Sequence, residues 1–422
     1  MVFKSAALAM AMASGLAAAG NPALAYPDPE VDLQKAELKV RAPREVIARH
    51  AQALEEGDKA RSTLSGVLQR LAAQRSFLGD TEGAIAAFDE SDALARRKET
   101  SYGDDLDRLA EARAEDALEA IVREARKHRI VILNEAHHVP MHRAFAMRLA
   151  RELRKAGYTW LAAETFENTP FEKGYLALSD GYYSREPVFG NFLRDAAADG
   201  WKMVQYEPFD QQASDTFEQQ IERRESGEAR NLVERIFAKD AAAKVFIYVG
   251  YGHLAEMPRV GNGIGTAWMA AQLKHMTGLD PLTIDQTVMM AHSKPEAEPG
   301  IYGKAVARET RLSPFVLRAP GGGYEVFGSS RFKADMQVVH PRYGMDGATG
   351  RAAWLQSLAG FKPLAVPQEL YPEAGAQWVF AHLAGQPADS VPADVVKLEA
   401  GKPAPQFMLR PGSYSYSVRK YP

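Results

Sequence analysis

Three of the chain's ten histidines fall within six positions, at His137, His138 and His142, and Glu135 stands two residues before the first of them. If a strand persists through this segment, Glu135 and His137 point to the same side, because side chains alternate with period two. His138 and His142, four apart around the start of the next helix, could share a face. Imidazole and carboxylate together suit Zn, Mn or Fe, and the same groups serve equally as base and acid in hydrolysis. The residue types leave both chemistries open, with Glu135, His137, His138, His142 and His253 as candidate ligands.

Two further points carry similar chemistry. Glu164 follows the nearly apolar run Trp160-Leu161-Ala162-Ala163, which puts its carboxylate at a strand end or at the cap of a following helix. His253 sits in Gly250-Tyr251-Gly252-His253, where glycine lets the backbone turn sharply and approach a ligand closely. Tyr206 and Glu207 close a third apolar stretch, and Tyr206 and Tyr251 are the phenols that could reach haem or iron from the same edge. Gly261-Asn262-Gly263-Ile264-Gly265 lacks the spacing of a dinucleotide fingerprint and reads as a plain glycine-rich connection. Gly321-Gly322-Gly323 reads as a loop hinge. No G-x-S-x-G elbow is present and the chain has no cysteine, so covalent serine and thiol templates lose ground.

The elements that would position these groups alternate. Ile130–Leu133, Trp160–Ala163, Met203-Val204, Val245–Val249 and Leu282–Ile284 are short apolar runs separated by helical segments, the pattern of buried parallel strands. Ligands bind outside the carboxyl ends of such strands, and four of these runs end in an ionisable side chain: Glu135, Glu164, Glu207 and His253. The helix after the first strand opens at Pro140, buries Phe145, Leu149 and Leu153 along one stripe and stops at Gly157.

The 422 residues are close to average in composition, and 51 basic against 54 acidic residues leave a formal charge of −3, which argues against a nucleic-acid partner. Lys4, the apolar run Ala6–Ala19 and Ala23-Leu24-Ala25 have the form of a secretory signal peptide cleaved after Ala25, predicting a periplasmic or secreted protein with no membrane span after cleavage. Residues 26–127 read as helical. Within them Leu64, Val67, Leu68 and Leu71 precede a Gly79-Asp80 turn, forming either an appendage packed on the main domain or one tetratricopeptide-type hairpin able to hold a protein partner. Residues 128–290 form the α/β unit, with polar helical stretches at about 167–200 and 208–243 lining or capping its pocket. Residues 291–422 form a β-rich region containing Phe315–Leu317, Tyr324–Phe327, Gln337–Val339 and Tyr414–Val418. The fold class expected is α/β: a mainly parallel sheet flanked by helices, with a helical N-terminal segment and a β-rich C-terminal region.

Glu135-Ala136-His137-His138-Val139-Pro140-Met141-His142, then Glu164-Thr165-Phe166, then Gly250-Tyr251-Gly252-His253 resemble, as an ordered set, the superfamily of the ChaN-like haem-uptake proteins, the erythromycin esterases and the Tiki/TraB-type metal-dependent proteases. The likeness covers about 128–290. It implies a site at Glu135, His137, Glu164 and His253, and Arg230 looks like the family's helix arginine ahead of the last strand. Asn134 stands where the family has glycine, His138 where ChaN-like members have aspartate, and no lipobox cysteine is present. The resemblance implies an exported hydrolase of esterase or peptidase type acting on a small molecule or peptide, with or without a divalent metal. Its alternatives are a haem- or iron-binding protein and a non-catalytic envelope protein that recruits partners through its helical N-terminus.

Overall fold

The computed structural model describes residues 54–94, 100–208, 215–257 and 267–420, together with a few positions between 33 and 44. The leader expected over residues 1–25 and the glycine run 261–265 lie outside the described residues. Among the described residues no helix is long and apolar enough to cross a membrane.

The chain enters as two packed helices, α1 (Leu54–Phe77) and α2 (Thr81–Leu94). Gly79 makes the turn between them at φ +75°, and the Asp80 carboxylate accepts the Gly83 N–H to cap α2. There follow α3 (Asp105–Glu111), β1 (Arg113–Asp116), α4 (Ala117–Ala125), β2 (Ile130–Glu135), α5 (Pro140–Lys155), β3 (Trp160–Ala163), α6 (Pro187–Ala198), β4 (Lys202–Val204) and α7 (Phe217–Leu232). Next come β5 (Val245–Gly250), a tight 3₁₀ turn at Tyr251–Leu254, α8 (Met269–Thr277), β6 (Leu282–Asp285), α9 (Gly300–Arg308), β7 (Phe315–Arg318) and β8 (Met336–Val339). One eight-stranded sheet runs in the order β1-β7-β8-β6-β2-β5-β3-β4; the six strands from β8 to β4 are parallel, and β7 runs against both its neighbours.

β2 and β5 lie at the centre and are buried at every position, which is why their sequences are apolar without alternation. Val131 and Leu133 pack with Ile121 of α4, Phe145 and Leu149 of α5 and Phe192 of α6. Ile130 and Ile132 face the other way, onto Ala229 and Leu232 of α7 and Met269 and Leu273 of α8. The result is helices on both faces of a mostly parallel sheet, and the ends of its strands form one edge.

The sheet is wider than the stretch 128–290. β1 comes from the segment read as wholly helical, and Phe315–Leu317 and Gln337–Val339 belong to the main sheet as β7 and β8 rather than to a separate β region. Both runs are almost completely buried and therefore need cover on two faces. Tyr324–Phe327 forms no strand; Tyr324 makes one isolated bridge to Arg318. The stretch 167–200 is helical only in α6 and in one turn at Tyr183–Arg185.

The C-terminal region holds β9 (Met345–Asp346), β10 (Arg351–Ala352), a short helix α10 (Trp354–Ser357), β11 (Lys362–Leu364), β12 (Ala376–Leu383), β13 (Asp394–Glu399), β14 (Phe407–Leu409) and β15 (Tyr414–Lys420). β13-β12-β15 form a small antiparallel sheet. Trp378, Phe380 and Val395 of that sheet pack against Leu64, Val67, Leu68 and Leu71, so the helical pair is seated on the C-terminal region.

Candidate functional site

At the end of β2 the strand's alternation is preserved long enough to bring Glu135 and His137 together: Glu135 Oε1 is 2.8 Å from His137 Nδ1. Arg143, one turn into α5 and without exposed surface, donates from Nε to Glu135 Oε2 (2.8 Å) and from Nη2 to Glu135 Oε1 (2.9 Å) and to the His137 carbonyl (2.8 Å). Its Nη1 reaches Glu186 at 3.3 Å, and Glu186 also caps α6 by accepting the N–H groups of Val188 and Phe189. Burial alone would raise the Glu135 carboxyl, but the Arg143 guanidinium outweighs it and holds the group at about 2.

The His137 ring is fixed from both sides. Tyr183 stacks on it at 3.8 Å between centroids, and Tyr251 meets it edge-on at 5.3 Å. Tyr251 has φ +34°, an uncommon backbone setting for a residue with a side chain, and its carbonyl accepts from Asn134 Nδ2 at 2.9 Å. Asn134 in turn bonds Asp285, so the ends of β2, β5 and β6 are tied together. A Cβ on Gly250 would overlap the imidazole and come within 2.8 Å of Glu164 Oε2; glycine is required there by close approach.

No helix begins at Glu164. Its Oε2 accepts the Gly250 N–H, and its Oε1 faces His137 Nε2 at 3.8 Å and His253 Nε2 at 3.9 Å. Arg224 of α7 lies behind it, with Nη2 2.7 Å from Glu164 Oε1 and 2.6 Å from Glu207 Oε1. Burial pushes Glu164 up, and the charges of His137 and Arg224 bring it below the usual carboxylate range. Burial dominates at Glu207, which is pushed up to about 7 against the pull of Arg224. His253 completes the line: its Nδ1 is 3.0 Å from Glu225 and its Nε2 3.2 Å from Arg224 Nη1. Burial lowers the imidazole, but Glu225 and Glu228 raise it further, while the Arg224 guanidinium opposes a second proton on Nε2.

Four of the expected site residues, Glu135, His137, Glu164 and His253, are thus brought to one edge, and Tyr251 packs beside them. The others separate. His142 points into the core with no exposed surface; Nδ1 accepts the Ala136 N–H and the ring packs near His340 at 5.2 Å. It does not share a face with His138, because Pro140 starts the helix and leaves His138 in the preceding turn. His138 is stacked under Phe88 of α2 at 3.9 Å, with Nδ1 3.4 Å from the Tyr251 hydroxyl, and burial pushes it down to about 3. Tyr206 is 1% exposed within the core beneath α7. Arg230 is exposed and, among the described residues, reaches its own helix at the Ser226 carbonyl; the arginine at the site is Arg224, almost two turns earlier.

The five candidate ligands Glu135, His137, His138, His142 and His253 therefore do not converge on one point, and Glu135 already has a full guanidinium partner. Among the described residues the metal-capable group is Glu225, Glu228 and His253, whose ligand atoms all lie within 4.8 Å of one another. The gap lined by Glu135, His137, Glu164, Tyr183 and Tyr248 holds about 160 Å³ of unfilled space and is too narrow to seat even a water molecule.

The chain matches no family model and no curated protein. The function therefore rests on the side chains themselves.

Sequence reading missed Arg143, Arg224, Glu225, Glu228, Tyr183 and Glu186. The acidic and basic ones lie in polar helical stretches that look like solvated faces. A signal was present in Glu225 and Glu228, whose spacing of three places both on one helix face.

Proposed function

We propose that this protein is a hydrolase in which His137, oriented by Glu135, is the general base that activates water against an ester or peptide carbonyl. The supporting observation is the 2.8 Å contact between Glu135 Oε1 and His137 Nδ1, which leaves Nε2 as the nitrogen that faces the gap. A proton taken by Nε2 makes an imidazolium, which the buried Glu135 carboxylate stabilises and keeps in one orientation. Arg143 keeps Glu135 ionised for that task, and Tyr183 holds the ring plane. The gap is closed in this conformation, so admission of substrate and water requires displacement of the covering residues, Tyr183 among them. The ordered motifs at 135–142, 164–166 and 250–253 support placing the chain with the ChaN-like, erythromycin esterase and Tiki/TraB superfamily, and the signal-peptide pattern before Tyr26 supports export; a mature N-terminus at Tyr26 would confirm the latter.

The test is a panel of aryl esters and short peptides assayed with the wild-type chain and His137→Asn, with circular dichroism to verify folding. A roughly 10²–10⁴-fold loss of turnover is expected in the variant. Undiminished turnover by folded His137→Asn contradicts the assignment.

A further inference from the structure

Glu225 and Glu228 project from one face of α7 towards the turn at Tyr251–Leu254, and each is 1% exposed. Arg224 is shared by Glu164, Glu207 and Glu228, while among the described residues no arginine or lysine pairs with Glu225. Several buried carboxylates thus lean on one guanidinium. Buried charge of one sign is costly unless it is matched, and among the described residues neither oxygen of Glu228 accepts a well-formed hydrogen bond, although Arg224 Nε is 3.0 Å from one and His253 Nδ1 3.3 Å from the other.

The geometry points to a divalent-cation site made by Glu225 Oε1, Glu228 Oε2 and His253 Nδ1. Nδ1 is 3.0 Å from the first and 3.3 Å from the second. The other oxygen of each carboxylate is held from outside. Glu225 Oε2 accepts the Met269 N–H at 2.7 Å, and Glu228 Oε1 lies against Arg224 Nε. Ligand groups fixed in this way from behind are a general feature of protein metal sites. Two carboxylates and one imidazole suit Zn²⁺, Mn²⁺ or Fe²⁺ and leave room in the coordination sphere for water.

Without a cation, Nδ1 carries a proton that lies between the two carboxylates. A cation takes that position. The Nδ1 proton is displaced, and Nε2, which carries N–H when Nδ1 binds a cation, has Glu164 Oε1 as its acceptor, 3.9 Å away. Cation binding therefore reports directly on the proton at His253 Nδ1. This site goes beyond the general-base reading and does not depend on it, since none of its three ligands takes the proton from water.

The experiment uses the full chain, stripped with EDTA and dialysed, with Zn²⁺ as the probe. Equilibrium dialysis is expected to give one Zn²⁺ per chain, unchanged in His137→Asn and at least about tenfold weaker in Glu225→Gln and Glu228→Gln. Should those variants fold poorly, the wild-type ¹⁵N spectrum of His253 decides: Zn²⁺ is expected to displace the Nδ1 proton and shift the Nδ1 resonance. No stoichiometric binding, an unmoved His253 spectrum, or Zn²⁺ lost in His137→Asn but kept in Glu228→Gln overturns the site. Zn²⁺ binding and ester or peptide turnover are separate readouts, so either reading can fail while the other stands.

Discussion

Glu135 Oε1 contacts His137 Nδ1 at 2.8 Å while the same carboxylate is gripped on both oxygens by Arg143. An ionised partner on Nδ1 fixes the tautomer in which Nε2 is the free base. Glu135→Gln keeps the shape but removes the charge that stabilises the imidazolium, and its amide can present N–H to Nδ1 and favour the wrong tautomer. Turnover is expected to fall by roughly 10²–10⁴-fold, with a smaller change in KM. Equal kcat in Glu135→Gln and wild type contradicts this role.

Arg143 is buried between two carboxylates, and truncating one member of such a group leaves the others charged without a partner. Arg143→Met should destabilise the fold by about 3–5 kcal/mol in urea melts. Combining it with Glu135→Gln should recover part of that loss, because the stranded charge is gone. A double variant at least as destabilised as the sum of the single ones would falsify the coupling.

The strand ends were legible because buried parallel strands must be apolar throughout, so the first ionisable residue after each run marks the edge: Glu135, Glu164 and His253 all lie there. The width of the sheet was less legible. β1 is only four residues long and polar in sequence, and β7 and β8 follow a long excursion that hides the pairing of β8 with β6 and of β7 with β8. Within the site, position along a helix decided what a sequence could reveal. Arg143 and Arg224 lie among other charged residues, and only the third dimension distinguishes them from Arg230 on the exposed face. His142 misled for the opposite reason: its spacing from His138 is helical, but the helix begins between them.

Glu135 and Glu167 give stability opposite dependences on pH. Glu135 is held at about 2 in the fold against an ordinary 4.5; its stabilisation is complete above about 4.5 and is lost as pH falls towards 2. Burial pushes Glu167 up to about 7, and among the described residues neither of its oxygens has a hydrogen-bond partner. Between 4.5 and 7 the folded form holds the Glu167 proton more tightly than the unfolded form, so stability declines as pH rises through that window. Glu167→Gln should remove that decline. In urea melts at pH 5 and pH 8, the variant is expected to gain on the wild type at the higher pH; a difference independent of pH contradicts the assignment.

Gly250 ends β5 where its backbone donates to Glu164 and lies flat against the His137 ring. A methyl group there meets the imidazole and a carboxylate oxygen, and neither can retreat freely: the ring is stacked on Tyr183, and Glu164 is tethered by Arg224. Gly250→Ala should therefore cost about 1–3 kcal/mol through overpacking and also misplace Nε2. Its signature is a loss of kcat larger than the loss of stability explains, measured below the unfolding transition where the chain is fully folded. Full activity in a folded Gly250→Ala chain would mean that His137 is not held by this contact, and that its position in the reaction is set by Glu135 and Tyr183 alone.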